Sequence, residues 1–283
     1  MSVSQPSGSE LLDLPGEALL LDLEDRVELD RAVSGSDMVV HLAARAGGIQ
    51  FQDDRALTVF STNRQITDNL LASCLEANVA RVFLASSLVT YRDASGLLQE
   101  THPQLRPSDG PSPYAWSKIT DEVVASWHSD LNFSIGRFGN VYGPGAPFDP
   151  SRSTVVHALI DRAARLTDGA DLVVWGDGTA TRSFVFVKDA ARAVLLTLSA
   201  GRPGESYNID TGEPVTIAEL AEVVRDQVNA TLRLVFDDSK PAGTPYRVAS
   251  IDKLASLGYA PATTLAEGIK ATVDWYRNWN ASV

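Results

Sequence analysis

Val82-Phe83-Leu84-Ala85-Ser86-Ser87, answered downstream by Pro113-Tyr114-Ala115-Trp116-Ser117-Lys118, is the stretch whose reading decides the fold. The first run is short, apolar and bounded, as a buried strand is. The second opens a helix predicted over residues 113–128, with Pro113 in the first turn, where a missing N–H costs nothing. Tyr114 and Lys118 stand four apart and therefore share a helix face. A free phenol has a pKa of about 10 and shuttles protons poorly at neutral pH. A neighbouring ammonium favours the phenolate, and a serine hydroxyl such as Ser87 can pass the proton on. That combination is the acid–base logic of hydride chemistry at a carbinol carbon.

Outward from this pair the chain alternates. Short apolar runs at 19–21, 38–42 and 133–137 read as further strands, and 62–78 has helical spacing. Strand–helix alternation implies a parallel sheet with helices on both faces. Beyond the turn-rich 142–147 the texture changes. Helices are expected at 154–166, from Lys188, at 217–229 and at 265–279, with strands at 172–175 and 232–236. These form a smaller α/β lobe. The expected division is a Rossmann-like domain over 1–143, to which 182–212 returns, and a lobe over 144–283.

Composition narrows the function. A formal net charge of -12 repels phosphate polymers and anionic membranes, so no nucleic-acid or membrane partner is expected. A small phosphate-bearing molecule, which needs only a few local arginines, remains compatible. Cys74 is the only cysteine, which excludes an intramolecular disulfide and a thiolate metal cluster. His102, His128 and His157 show no metal spacing, and His41 on an apolar strand reads as a core residue. No apolar run approaches the length of a membrane span and the first twenty residues lack a signal-peptide core, so a cytoplasmic location is expected.

Seven pieces in order resemble the extended short-chain dehydrogenase/reductase superfamily, in particular its NAD-dependent nucleotide-sugar epimerases and dehydratases. They are Asp22-Leu23, Val39 to Ala44, the helix with Asn63, Asn69, Leu70 and Leu71, and Ser86 to Tyr91. Tyr114 to Lys118, Arg137 to Pro144, and a tail with Trp175 to Gly178, Thr181 to Val187, Tyr207-Asn208-Ile209 and Tyr246-Arg247 complete them. His41 to Ile49, with Gly47-Gly48, leans toward GDP-fucose synthase and GDP-mannose 3,5-epimerase. The extra acid–base groups of those two enzymes are not matched, since Val89 and Gly145 stand at their places.

The resemblance implies a nucleotide-diphosphate-sugar enzyme of 4-epimerase or ketosugar-reductase type, with Ser87, Tyr114 and Lys118 catalytic. It assigns Asp22, Leu23, Ala43 and Ala44, with Tyr114 and Lys118, to an NAD or NADP cofactor. Ser87, Asn140, Arg182 and Arg247 would hold the substrate, the arginines at its diphosphate. A homodimer or other oligomer is implied, with helices 62–78 and 113–128 as candidate interface. The glycine-rich strand–turn–helix that holds the cofactor pyrophosphate has no counterpart before Asp22. The expectation is therefore a Rossmann-like fold with its first β-α-β missing, in which cofactor use is open. The rival reading is a non-catalytic or cofactor-independent sugar-nucleotide binder, or a regulatory partner of a longer relative.

Overall fold

The computed structural model describes residues 17–46, 55–92, 96–109, 112–148, 153–240 and 243–280. The elements in order are α1 (Arg26–Val33), β1 (Met38–His41), α2 (Ala56–Glu76), β2 (Arg81–Ser87), α3 (Pro113–Ser126), β3 (Phe133–Phe138) and β4 (Asn140–Tyr142). There follow α4 (Val155–Ala164), β5 (Asp171–Trp175), β6 (Thr181–Arg182), β7 (Phe184–Phe186), α5 (Val187–Ala200) and β8 (Ser206–Ile209). The last are β9 (Val215–Thr216), α6 (Ile217–Val228), β10 (Arg233–Asp237), β11 (Tyr246–Arg247), α7 (Asp252–Ala255) and α8 (Leu265–Asn280).

The main sheet is parallel throughout, in the order β1-β2-β3-β8. Strand alternation divides its apolar side chains between two cores. Val82 and Leu84 of β2 join Leu70, Leu71 and Cys74 of α2 on one face. Phe83, between them in sequence, joins Ala193, Val194 and Leu198 of α5 on the other. This is the Rossmann-like α/β arrangement with helices on both faces. A separate core under the C-terminal half gathers Leu159 and Ile160 of α4, Leu172 and Val174 of β5, Leu220 of α6, and Ile269 and Val273 of α8. There β5 pairs with β10, and β6 pairs with both β9 and β11.

Two expectations change. Leu19-Leu20-Leu21 forms no strand. It lies exposed ahead of a turn in which the Asp22 carboxylate accepts the Glu24 N–H, and among the described residues no strand pairs with it. Three leucines carry apolarity but no β-branched preference and no partner ladder. The return to the main sheet, expected over 182–212, narrows to β8. Thr181–Arg182 belongs to the three-stranded ribbon and Phe184–Phe186 to a pair with β4, and β8 is the strand that lies on β3. The Ser7 to Pro15 segment and Gly47-Gly48-Ile49 lie outside the described residues. Among the described residues no helix is long and apolar enough to cross a membrane, and no group of His, Cys, Asp and Glu is placed to hold a metal ion.

Buried polar groups lock the sheet to its surroundings. Arg137 of β3 forms a two-pronged ion pair with Glu122 of α3, at 2.6 and 3.0 Å. It also donates to Tyr91 Oη, which in turn donates to Asn208 of β8. Asp210, at the end of β8, has no exposed surface and accepts hydrogen bonds from the Ser183 hydroxyl and the Thr211 N–H. Its carboxylate fills the space beside Gly139, where an added Cβ would meet Asp210 Oδ2 at 2.7 Å.

Candidate active site

In an open α/β sheet, ligands gather beyond the carboxyl ends of the strands. Ala43 and Ala44 follow β1, Ser87 ends β2, and Gly139 and Asn140 follow β3. Helix α3, with Tyr114 and Lys118 in its first two turns, packs on β2 and on the short turn after Ser87. The structure thus collects Ser87, Tyr114, Lys118, Ala43, Ala44 and Asn140 along one edge. Asp22 and Leu23 lie further out. Asp22 is exposed, and the Leu23 carbonyl accepts from Asn69 of α2.

Alternation along β2 decides which serine serves the site. Ser86 is buried and donates to Glu122, inside the Arg137 network. Ser87 faces the other way, half-buried, and its Oγ accepts the Val89 N–H at 3.3 Å. The Ser87 hydroxyl proton is therefore left for a ligand.

Asn63 ties the segment after β1 to α3. Its carboxamide accepts the Arg45 N–H at 2.6 Å and donates to the Arg45 carbonyl at 3.1 Å. It also donates to Ser117 Oγ at 3.2 Å, and Ser117 donates to the Tyr114 carbonyl at 2.8 Å. One buried amide therefore fixes the segment after β1 against the turn that bears Tyr114. His41 is buried, as expected of a core residue. Its Nε2 lies 3.2 Å from Thr67 Oγ1, and burial first, then the Lys118 charge, pushes its pKa down to about 3.

The electrostatics of Tyr114 differ from the sequence expectation. Burial first, and the negative charge of Asp121 second, push the phenol up to about 12. Lys118 does not hold it down. The Lys118 side chain is 3% exposed and its Nζ lies 3.5 Å from Asp121 Oδ2, one helical turn the other way. Asp121 also receives Arg64 of α2 at 2.5 Å, and Arg64 reaches Asp68 as well. Burial lowers the ammonium's pKa, and the Asp121 carboxylate opposes that. Neither Asp121 nor Arg64 was singled out in the sequence. Asp121 was visible there as the position seven after Tyr114, on the same helix face, whereas Arg64 comes from another element.

On the lobe side the structure brings Arg182 and Arg247 together. They are register partners in the parallel β6–β11 pair and so project from the same face. Arg182 donates to the Thr181 carbonyl and Arg247 to Thr244 Oγ1. A cleft of about 320 Å³ opens in the lobe, lined by Asp177, Thr179, Ala180, Asp238, Lys240 and Pro245; neither arginine lines it. Asn140 donates to the Ser183 carbonyl at 2.8 Å, bracing the residue next to Arg182. Asp189, in the first turn of α5, accepts the N–H groups of Ala262 and Thr263, anchoring the segment before α8.

The buried Lys118 ammonium tests the fit of a dinucleotide. Among the described residues its three N–H donors meet one acceptor, at the long distance of 3.5 Å. A ribose diol would satisfy the others. The nicotinamide end of the site fits.

Comparison with known proteins gives the same direction. The chain is 33% identical over 246 residues to a dTDP-4-dehydro-6-deoxy-D-allose reductase from a Streptomyces species, covering 85% of this chain and 74% of the relative. It is 35% identical over 248 residues to GDP-L-fucose synthase 1 of Arabidopsis thaliana, covering 84% and 76%. Among solved structures, a dTDP-glucose 4,6-dehydratase from Streptomyces venezuelae, with NAD bound, superposes with a TM-score of 0.76 at 30% identity, over 92% of this chain and 79% of that one. A UDP-glucose 4-epimerase from Thermotoga maritima, at 24% identity and a TM-score of 0.82 over 92% and 84%, shares the fold. The sequence model of the NAD dependent epimerase/dehydratase family matches residues 4–210, and the chain belongs to that family.

Proposed function

We propose that this chain reduces the ketone of a nucleotide-diphosphate ketosugar at one carbon, with NAD(P)H as hydride donor. The observation that carries the reading is the placement of Ser87 and Tyr114 at one sheet edge, with the buried, under-bonded Lys118 ammonium on the same helix. A bound nicotinamide dinucleotide supplies the hydride. Tyr114 and Lys118 would hold its nicotinamide ribose, with Ala43 and Ala44 beside it and Asp22 and Leu23 toward the adenosine. Ser87 donates a hydrogen bond to the carbonyl oxygen and orients it, keeping its own proton. As that oxygen gains charge, Tyr114 hands it the phenolic proton, and the phenolate left behind is met by the Lys118 charge and reprotonated from solvent. Arg182 and Arg247 grip the diphosphate, and Asn140 holds the Arg182 segment in place.

A phenol at about 12 suits proton donation, hence reduction, better than proton abstraction. The names of the reductase and synthase relatives support the same direction. The test incubates the full chain with NADPH or NADH and a dTDP- or GDP-4-keto-6-deoxysugar, following absorbance at 340 nm. Oxidation that falls at least 100-fold in Tyr114→Phe supports the reading. Recovery of a 4-inverted sugar from a 4-hydroxy substrate would point to epimerisation instead. Calorimetric binding of the sugar nucleotide with no turnover would leave a non-catalytic binder.

The same reading includes self-association. Val123 and Trp127, four apart at the end of α3, are exposed apolar residues on one helix face, and a second copy is the occupant proposed for it.

A further inference from the structure

Asp210, directly after β8, meets the ends of both arginine-bearing strands of the lobe. It has no exposed surface, and neither have Ser183 and Ala249. Ser183 follows Arg182, the last residue of β6, and its hydroxyl donates to Asp210 Oδ2. Ala249 stands two residues after Arg247, the last residue of β11, and its N–H meets the same carboxylate. Extended backbone explains that aim. The Val248 carbonyl and the Ser250 N–H both bond Leu98, at 2.8 and 2.9 Å, so the residue between them turns its own groups the other way. The Ala249 carbonyl lies on that side too, 3.6 Å from where a Cβ on Gly212 would stand. The Thr211 N–H donates to Asp210 Oδ1 at 2.7 Å, and the missing side chain of Gly139 leaves the carboxylate its room. Ser183 is gripped from its other side as well, where its carbonyl accepts Asn140.

We propose that Asp210 is a positioning residue for the diphosphate site: its carboxylate clamps the ends of β6 and β11 to the carboxyl end of the main sheet and so holds Arg182 and Arg247 in register. The inference rests on reading the two arginines as the diphosphate grip, and it goes further by naming the group that keeps them together. The β6–β11 ladder pairs only Thr181 with Tyr246 and Arg182 with Arg247. A pairing that short is marginal without support from outside. Burying a carboxylate is costly, and a small apolar residue at this position would avoid the cost. What the carboxylate supplies instead is a charged acceptor that reaches three segments at once, through bonds stronger than neutral ones. Two of those segments lead straight back to the arginines, and the third closes the loop after β8.

Two readouts on the full chain separate the clamp from the ligand. Amide hydrogen exchange, without ligand, follows peptides over 179–187 and 244–250, with peptides of β2 and α3 as internal reference. Calorimetry follows the binding of GDP and of dTDP. Asp210→Ala should speed exchange in both lobe stretches and weaken diphosphate binding by about tenfold each, the worth of one hydrogen bond to a charged group, with the reference peptides unchanged. Asp210→Asn keeps a hydrogen-bonding group of the same shape and should stay within about threefold of wild type in both. Unmoved exchange in folded Asp210→Ala overturns the proposal. So does faster exchange spread evenly over the chain, which marks a residue that serves stability alone, or a loss as large in Asp210→Asn. If Asp210→Ala does not fold, Ser183→Ala removes one of the donors and carries the test, with faster exchange over 179–187 expected and unmoved exchange overturning it. A wild-type chain that binds neither GDP nor dTDP sinks the diphosphate reading, and exchange then decides the clamp by itself. Binding undiminished in Asp210→Ala leaves the diphosphate reading standing and overturns the positioning role.

Discussion

Asp210 carries its carboxylate into a site with no exposed surface, braced only by Ser183 and backbone N–H groups. Burial, the largest cause, raises its pKa to about 6 from an ordinary 3.8. The folded state thus holds a proton that the unfolded chain has already released between those values. Stability falls as pH rises across that window, by about 3 kcal/mol in all. Asp210→Asn should remove this slope. Urea midpoints of the two proteins should converge near pH 4 and separate above pH 6 in favour of the variant, and parallel curves would refute the assignment. Such a group cannot be found in the sequence, because what sets its pKa is the depth of its burial. Ser87, Tyr114 and Lys118 stand out in the sequence for the opposite reason. Their residue types and spacing lie within one strand and one helix, and the structure places both elements as expected. The Lys118–Asp121–Arg64 contacts were not legible, since Arg64 lies across a helix–helix contact.

Among elements, α3, α5 and β2 were readable to within a few residues from periodicity, whereas α1 was not anticipated and α2 starts six residues before its expected bound. The failures among strands have a common cause. Leu19-Leu20-Leu21 and the two-residue strands β6, β9 and β11 take their structure from having, or lacking, a partner strand, and pairing is not written in a short run. Gly268 in α8 gives an element-scale prediction in which two effects oppose. Alanine in a helix is worth about 1 kcal/mol over glycine. Here its Cβ would lie 2.1 Å from Tyr142 Oη and 2.8 Å from Cζ. That ring is 2% exposed and fixed edge-on between Phe184 and Phe186. Overpacking of this kind costs about 1–3 kcal/mol or more, so Gly268→Ala should lower the unfolding midpoint despite its better propensity. A raised midpoint would show that Tyr142 can yield.

At the scale of the whole molecule, the exposed Val123–Trp127 face allows the proposed assembly to be tested directly. Trp127→Arg, at a position 71% exposed, should leave the fold intact and move the sedimentation mass from dimer to monomer. A wild-type chain that sediments as a monomer at micromolar concentration would refute the pairing. The adjacent arginines carry a different consequence, one of timing. Arg182 and Arg247 meet across the β6–β11 pair, although a lobe helix, a main-sheet strand and much of the second core are threaded between them. As the chain leaves the ribosome, the sheet from β1 to β8, with Ser87, Tyr114 and Lys118 already on it, is complete before Arg247 has been made. The end that carries Ser87, Tyr114 and Lys118 is therefore built first, and the arginine pair proposed to hold a diphosphate comes together only when the last quarter of the chain arrives.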